Sequence, residues 1–460
     1  MKQYSTENLR NVALVGHGGS GKTLFMEAVL YSAGTIDRAG RIDAGNTVSD
    51  HDPEEIKRGV SISTSLGPAE YKNTKVNMVD TPGYFDFVGE VKGALRVADT
   101  AMIFACAVSG IEVGTEKVWN YALENGVARA IYISKMDREN ANFSRVLEQL
   151  RNTFGLSVAP FQIPIGAEAK FAGVIDLITQ KAYYYTDNGK KIEQRTIPAE
   201  LQAEVDEYRK GLIEAIAESD DDLLMKYLEG EQLTDEEVIR GARLGTVSGR
   251  LVPVLCGSAM KNIGMTSFLE SAIRYFPSPL DRGAFVGVNP KTGVEETRQG
   301  KANEPLSAIV FKTMADPYVG KLSLLRICSG TLKSDSQIYN ANKETTERIG
   351  QLFIIRGKTQ EPIALLEAGD IGGVAKLSTT TTGDTLTEKD NPIRYAGISF
   401  PSPVISLAVE PKAKGDEEKI GSSLARLAEE DPTISTKRNP ETKQLLLSGM
   451  GELHLEVIVS

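Results

Sequence analysis

A glycine-rich segment near the N-terminus, "GHGGSGKT" at residues 16–23, combines residue types that can hold phosphate groups. It lies between an apolar run typical of a buried strand and a segment with helical spacing of apolar residues. Its glycines let backbone N–H groups curl round a phosphate, and the start of the helix adds a positive dipole end. Lys22 can reach the terminal phosphates, and the Thr23 hydroxyl can bind Mg²⁺. We therefore predict that a nucleotide and Mg²⁺ are bound by Gly16, His17, Gly18, Gly19, Ser20, Gly21, Lys22 and Thr23.

A second segment, "VNMVDTPGYFDF" at residues 76–87, is suited to detecting the last phosphate of a nucleotide. Asp80 ends a strand-like run and can hold a water of the Mg²⁺ ion, and the Gly83 N–H can meet the γ-phosphate. The alternative is an ordinary D-x-P-G turn. The predicted nucleotide contacts here are Asp80, Thr81, Pro82, Gly83 and Tyr84. The predicted catalytic groups are Lys22, Gly83 and Tyr84.

Two short motifs later in the chain contain groups that can read a guanine base. In "SKMD" (134–137), Asp137 can accept from the N1–H and the amine of guanine together, and the Lys135 stem can cover the purine face. In "GSA" (257–259), the Ala259 N–H can reach guanine O6. Each motif alone occurs by chance on many loops, but both in this order at strand ends favour GTP over ATP. We predict GTP or GDP as cofactor, with base contacts from Ser134, Lys135, Met136, Asp137, Ser258 and Ala259.

The elements that must position these motifs follow from hydrophobic patterning. Four short apolar runs in the first part of the chain predict buried parallel strands separated by helices. The predicted class is therefore α/β, with a P-loop domain built on a doubly wound, mainly parallel sheet at 1–282. Acidic helical patterns at 158–250 predict a subdomain inserted in it. Alternating strands with frequent turns predict a β-barrel at 283–398, and 399–460 reads as an incomplete α+β domain.

Composition restricts the class of protein further. A length of 460 residues predicts two to four domains. No apolar run approaches the ~18 residues of a membrane span, and the N-terminus lacks the apolar region of a signal peptide. Three widely spaced cysteines indicate reduced thiols in the cytoplasm rather than a disulfide framework. A net charge of −10 argues against non-specific coating of nucleic acid.

The motifs together resemble those of translational GTPases, and the elongation factor G family in particular. "RGVSIS" (58–63) is similar to the family's R-G-I-T-I-T, and "DTPGYFDF" (80–87) is similar to D-T-P-G-H-V-D-F. "FKTMADPYVGKLSLLRICSGTL" (311–332) resembles the second domain of that family. "LARLAEEDPT" (424–433) and "SGMGELHLEVIV" (448–459) resemble the third domain. The resemblance covers essentially the whole chain.

The resemblance implies a cytoplasmic, monomeric GTPase that binds the ribosome and no membrane. It would couple GTP hydrolysis to a step of protein synthesis such as translocation. The 158–250 insertion would correspond to the family's extra subdomain, which contacts ribosomal stalk proteins, although a solvated acidic face is an equally good interpretation. Family members continue with two further domains, so the chain is expected to be truncated within the third.

Four positions depart from the family pattern. Ser61 replaces Thr and would complete the Mg²⁺ residues, together with Thr23 and Asp80. Only the hydroxyl oxygen is needed there, although Ser holds its rotamer less firmly than β-branched Thr. Gly19 replaces an Asp thought to help hold a monovalent cation, and Ser134 replaces the Asn of N-K-x-D. The fourth departure concerns the predicted catalytic position.

Tyr84 replaces the family's His, which sits over the attacking water. Its hydroxyl can donate and accept hydrogen bonds, but a phenol is neutral at neutral pH and, unlike an imidazole, cannot carry positive charge there. Losing a positioned group of this kind commonly costs about 10²–10⁴-fold in rate. Packing of the ring on its own segment is the alternative. Bacterial paralogues of elongation factor G with Tyr here resemble this chain more closely than the housekeeping factor does.

Two other functions are compatible with the same motifs. One is a GTP-dependent switch that occupies the ribosome and hydrolyses GTP very slowly. The other is a ribosome-protection protein that displaces a drug, because such proteins share this layout of domains.

Overall fold

The computed structural model of the chain describes residues 2–316, 319–411 and 417–460. Pro317 and Tyr318, which belong to the segment compared above with the family's second domain, lie outside the described residues. Residues 412–416 of the predicted α+β domain also lie outside them.

The N-terminal region contains a seven-stranded sheet with an insertion. Its elements, in chain order, are β1 (Leu9–Gly16), α1 (Lys22–Ser32), α2 (Pro53–Arg58), β2 (Ser65–Tyr71), β3 (Thr74–Asp80), α3 (Val88–Val97), β4 (Thr100–Cys106), α4 (Val113–Glu124), β5 (Ala128–Ser134), α5 (Phe143–Phe154), β6 (Val158–Pro160), β7 (Gln162–Ile165), β8 (Gly173–Asp176), β9 (Lys181–Thr186), β10 (Lys191–Arg195), α6 (Gln202–Ala217), α7 (Asp221–Leu228), α8 (Asp235–Ser248), β11 (Val252–Cys256) and α9 (Met265–Tyr275).

The strand order of the main sheet is β2–β3–β1–β4–β5–β11–β6, and every neighbouring pair except β2–β3 is parallel. The four apolar runs singled out in the sequence form β1, β3, β4 and β5, whose residues are almost all buried, as expected for strands covered on both faces. The predicted α/β class is confirmed. Because β1, β3, β5 and β11 are parallel, the segments that follow them emerge at one edge of the sheet.

The insertion forms its own antiparallel sheet, in the order β10–β9–β8–β7, followed by α6, α7 and α8. The first residues of the range assigned to it from the sequence, Val158–Pro160, form β6 at the edge of the main sheet and pair with β11. The core of the insertion is continuous with that of the main sheet, because Val174, Leu212 and Ile216 belong to the same buried cluster as the strands.

A β-rich domain follows the N-terminal region. Its strands are β12 (Phe285–Val288), β13 (Glu295–Arg298), β14 (Ser307–Asp316), β15 (Gly320–Ser329), β16 (Thr331–Lys333), β17 (Gln337–Asn340), β18 (Thr345–Arg348), β19 (Leu352–Arg356), β20 (Thr359–Ile363), β21 (Leu365–Glu367), β22 (Ile371–Ala375), β23 (Thr385–Thr387) and β24 (Arg394–Tyr395). Eight of them form one antiparallel sheet in the order β18–β17–β23–β14–β15–β22–β19–β20. This sheet has a separate apolar core that includes Val310, Leu325 and Leu352.

The last part of the chain is a small α+β unit. Its elements are β25 (Ile405–Val409), α10 (Glu417–Glu430), β26 (Ser435–Arg438), β27 (Leu445–Gly449) and α11 (Glu452–Val459). The strands form an antiparallel sheet in the order β25–β27–β26. Helix α11 contacts the segment after β3: the backbone N–H of His454 donates to Asp86 Oδ1 at 3.4 Å.

A buried polar network joins the main sheet to the β-rich domain. The Lys75 ammonium, on a side chain only 1% exposed, donates to both oxygens of Asp370 at 2.8 and 3.0 Å. The Asn77 amide donates to Asp370 Oδ1 at 3.1 Å and to Asn11 Oδ1 at 2.9 Å. These contacts lie towards the starts of β1 and β3, so they anchor the β-rich domain away from the edge that carries the motifs.

The network continues on the other side of Asn11. The Asn11 amide donates to Asp99 Oδ2 at 2.9 Å, and Asp99 Oδ1 pairs with Arg326 Nη1 at 2.7 Å. Arg326 lies on β15, its side chain is fully buried, and it also donates to the Val97 carbonyl at 2.9 Å. Two buried ion pairs and the amides between them therefore hold the two domains in one relative position.

Replacing Asp370 with Ala should destabilise the protein by about 3–5 kcal/mol, because it leaves the Lys75 ammonium buried without its partner. The shift of the denaturation midpoint can be followed through the fluorescence of Trp119, the only tryptophan in the sequence. The matched control is Asp335→Asn, which removes the charge of an exposed partner of Arg348 in the same domain, suits the left-handed backbone there (φ 54°) and should cost less than about 1 kcal/mol. Equal shifts for the two variants would contradict a stabilising role for the buried pair.

Candidate nucleotide-binding site

The glycine-rich segment forms the turn between β1 and α1. Gly16 ends the strand and Lys22 begins the helix, so the loop N–H groups lie at the helix N-terminus, where anions are favoured. The buried Lys22 ammonium donates to the Gly16 carbonyl at 3.1 Å and to the His17 carbonyl at 3.0 Å. Burial lowers the pKa of Lys22, while the carboxylates of Asp80 and Asp50 oppose that effect. The two carbonyl groups thereby hold the Lys22 side chain against the loop, and its ammonium group is buried there.

The three residues predicted to bind Mg²⁺ come together from separate segments. Thr23 lies in the first turn of α1, Asp80 ends β3, and Ser61 lies between α2 and β2. The Thr23 hydroxyl donates to Asp80 Oδ2 at 2.8 Å and lies 3.1 Å from the Ser61 hydroxyl. Burial raises the pKa of Asp80, and the nearby charge of Asp50 raises it further.

Asp50, which was not singled out from the sequence, is a fourth oxygen-bearing residue in this cluster. Both of its carboxylate oxygens are buried without a hydrogen-bond partner among the described residues, as is Asp80 Oδ1. Burial raises the pKa of Asp50, whereas the nearby Ser61 hydroxyl, His51 and Lys22 lower it. Asp50 follows an irregular stretch of sequence, so neither strand nor helix patterning indicates that it is buried.

The cluster fits a hard divalent cation. Two hydroxyl and two carboxylate groups offer oxygen ligands, directly or through water, and these are the ligands that Mg²⁺ prefers. The two buried carboxylates exceed the one buried ammonium in charge, and the unpaired oxygens of Asp50 and Asp80 could accept from bound waters. The residues present therefore suit Mg²⁺.

The two base-reading motifs meet beside the P-loop. Lys135, Asp137 and Ala259 line one small cavity that Gly21 of the P-loop also lines. The Ser134 hydroxyl donates to the Ser20 carbonyl at 2.6 Å, so it ties the first motif to the P-loop. The cavity wall also contains residues that were not predicted from their sequence pattern, namely Leu24, Phe25, Tyr132, Arg138 and Met260.

Two of the predicted base-contact residues have supporting contacts. Met136 is fully buried, and its N–H donates to the Gly257 carbonyl at 3.2 Å, which links the two motifs. Ser258 is also fully buried, and its hydroxyl accepts from the Lys261 N–H at 3.1 Å. Their geometry indicates that they shape the loops around the cavity rather than line it.

The inserted subdomain braces the same loops. The Glu168 N–H donates to the Met136 carbonyl at 3.0 Å, and the Lys261 ammonium donates to the Ala169 carbonyl at 2.8 Å. Residues 166–172, between β7 and β8, therefore contact the "SKMD" motif directly, and they contact Lys261, two residues beyond "GSA".

The segment after β3 lies directly against the P-loop. A Cβ on Gly83 would lie 2.6 Å from the Gly18 Cα and 2.7 Å from the Lys22 Nζ, so only glycine fits this close approach. The Tyr84 ring follows and lies beside Gly18, yet 45% of the residue is exposed. Thr81 and Pro82 are buried, and the Thr81 hydroxyl donates to the Leu14 carbonyl at 2.7 Å, which fixes the turn to β1.

Comparison with known proteins agrees with this geometry. Residues 7–278, more than half of the chain, match the model of the elongation factor Tu GTP binding domain. Residues 305–389 match elongation factor G domain 2, and residues 400–460 match elongation factor G domain III. The chain belongs to the elongation factor G family of translational GTPases. The resemblance drawn from the sequence motifs is thus confirmed.

One solved structure has a fold similar to that of this chain. It is reported as the crystal structure of ttk003000868 from Thermus thermophilus, and it is 34% identical to this chain with a TM-score of 0.87. The match covers 98% of this chain and 65% of that chain, so this chain spans about two thirds of the other's length. In the present chain, each helix among the described residues is too short or too polar to cross a bilayer.

Replacing Asp50 with Asn should raise the Mg²⁺ concentration needed for tight guanine-nucleotide binding by about 10–100-fold, the usual effect of removing an outer partner of a metal site. A Mg²⁺ titration with a fluorescent GDP analogue measures it. Asp43→Asn is the matched control, because Asp43 also lies between α1 and α2 but is exposed and paired with Arg41. An unchanged Mg²⁺ requirement in the Asp50 variant would contradict its assignment to the cluster.

Proposed function

We propose that the chain is a Mg²⁺-dependent GTPase that works on the ribosome and couples GTP hydrolysis to a step of protein synthesis such as translocation. The observation that carries the proposal is the convergence of Thr23, Ser61 and Asp80 beside a P-loop and a cavity lined by Lys135, Asp137 and Ala259. Membership of the elongation factor G family supports the ribosome as partner. We further propose that the protein is a cytoplasmic monomer, in keeping with its three free, buried cysteines and its family.

Each group in the site has a role in this proposal. Thr23, Ser61 and Asp80 hold the ion, directly or through water, with Asp50 behind them. When bound, Mg²⁺ neutralises charge on the terminal phosphate oxygens. Lys22 offsets the remaining phosphate charge, and the Gly83 N–H meets the γ-phosphate so that the segment after β3 responds to its presence. Asp137 selects guanine by accepting from both donors of its Watson–Crick edge.

A second candidate function rests on the position of Tyr84. Its ring covers Gly18 at the phosphate-binding loop while much of the residue stays exposed, so it is neither packed in a core nor able to supply a positive charge. A protein of this kind would occupy the ribosome while GTP is bound and would hydrolyse the GTP very slowly. Both candidate functions require GTP binding, and they differ in the rate of hydrolysis.

Replacing Tyr84 with His should accelerate ribosome-stimulated GTP hydrolysis by about 10²–10⁴-fold, because a positioned imidazole can act on the attacking water near neutral pH. Single-turnover hydrolysis of γ-labelled GTP with excess ribosomes measures this rate. Tyr84→Phe separates the roles of ring and hydroxyl: an unchanged rate assigns Tyr84 to packing. A wild-type rate equal to that of the His variant would rule out the slow switch.

Replacing Asp137 with Asn should weaken GTP binding by about 10²-fold or more and strengthen binding of xanthosine triphosphate, because an amide can donate to the extra carbonyl of xanthine. Competition between the two nucleotides for a fluorescent analogue measures the exchange of preference. Glu139→Gln, at a charged residue two positions further along, is the control and should keep the preference for GTP. Equal loss of both nucleotides in the Asp137 variant would contradict base reading by this residue.

A further inference from the structure

The β-rich domain contacts the long connection between α1 and β2, residues 33–64, at its beginning, middle and end. The Arg356 guanidinium donates to the Thr35 carbonyl at 3.0 Å. Gly357 lies so close to Val48 that a Cβ there would stand 1.9 Å from the Val48 carbonyl oxygen. At the far end, the Lys312 ammonium donates to the Ser63 hydroxyl. The connection that carries Asp50 and Ser61 therefore lies against a second domain.

Lys312 is the most enclosed of these contacts. Its side chain is 9% exposed, and its ammonium lies 2.5 Å from Glu90 Oε2, whose side chain is 22% exposed. The same Glu90 oxygen accepts from the Thr64 N–H at 2.5 Å. Glu90 lies on α3, which follows the segment of Gly83 and Tyr84. One ammonium from the β-rich domain thus joins the end of the α1–β2 connection to the helix after the γ-phosphate-sensing segment.

The contact is two residues from the Mg²⁺ cluster. Ser61, whose hydroxyl lies 3.1 Å from that of Thr23, belongs to a stretch without helix or strand between α2 and β2. Glu55 holds this stretch from one side, since its Oε1 accepts from the N–H groups of Ile62 and Ser63 at 3.0 and 3.1 Å. Lys312 and Glu90 hold it from the other side. The direction of the Ser61 hydroxyl therefore depends on these side chains.

We propose that Lys312 is a positioning residue of the nucleotide site: it holds residues 61–64 in the arrangement that turns Ser61 towards Thr23 and Asp80. The proposal rests on the proposed GTP and Mg²⁺ function of that cluster. Charge-assisted hydrogen bonds in a partly buried setting are stronger than those of an exposed ion pair, so one ammonium can bias a short irregular stretch. A ligand that needs this arrangement binds more weakly when the bias is removed, and a ligand that does not need it is unaffected.

The test compares two fluorescent nucleotides on the Lys312→Met variant, which keeps the length of the side chain but removes its charge. A non-hydrolysable GTP analogue should bind about tenfold more weakly at low Mg²⁺, within the usual range for coupling between two sites. Binding of the GDP analogue should change less than about twofold, because GDP lacks the γ-phosphate whose charge the ion held by Thr23, Ser61 and Asp80 is proposed to neutralise. Hydrogen exchange of the amides of residues 62–64 should be faster in the variant with the GTP analogue bound.

Two further variants make the result specific. Lys343→Met removes another lysine of the β-rich domain, paired with Asp384 at 3.2 Å within that domain, and should change neither affinity. Glu90→Gln should reproduce the selective loss, and the double variant should lose little more than the larger single loss, because the two residues act as a pair.

The outcomes separate this proposal from the function on which it rests. Failure of the wild-type chain to bind either nucleotide overturns the proposed function. Normal wild-type binding with equal weakening of both nucleotides in Lys312→Met assigns Lys312 a general structural role and overturns the positioning proposal. Unchanged binding of both nucleotides also overturns it.

Discussion

The site depends on a balance of buried charge at the carboxyl edge of the main sheet. Asp50 and Asp80 bring two buried carboxylates beside the ammonium of Lys22. Burial raises the pKa of each carboxyl and lowers that of the lysine, so each charged form is less favourable here than in water. A divalent cation surrounded by oxygen atoms suits this set, and the phosphates of a nucleotide suit the lysine and the helix N-terminus. Charge thus links the segments that are proposed to bind the metal ion and the phosphates and to sense the γ-phosphate.

The β-rich domain is part of this balance, although it supplies no predicted ligand. The Lys75–Asp370 and Asp99–Arg326 pairs fix it to the N-terminal region near the starts of the strands. Lys312 then reaches the end of the α1–β2 connection close to the other edge. The two buried ion pairs therefore fix the position of the β-rich domain, and with it the position of Lys312. If Lys312 acts as proposed, this contact would connect the conformation of residues 61–64 to the β-rich domain.

Binding and hydrolysis make separate demands on the segment after β3. Close approach of Gly83 to Gly18 and Lys22 requires a residue without a side chain, and the sequence meets that requirement. Hydrolysis requires a group that acts on water, and Tyr84 offers a phenol in the place of the family's imidazole. In the proposed function, nucleotide binding and hydrolysis therefore depend on different residues of this segment. His454 of α11 contacts the same segment through Asp86, so the α+β unit also borders the segment that carries Gly83 and Tyr84.

The sequence alone determined the α/β class and the P-loop, and it located the two motifs predicted to read the base, because each depends on residues that are neighbours in the chain or on a repeated apolar pattern. It also indicated Ser61, through a motif shared with a family. The roles of Asp50 and Lys312 were decided only by the tertiary structure. Asp50 lies in a loop with no periodic pattern, and the partners of Lys312, Ser63 and Glu90, are more than 200 residues away in the chain. The spacing of residue types along the chain does not predict such contacts, because burial and charge pairing depend on how distant segments pack together.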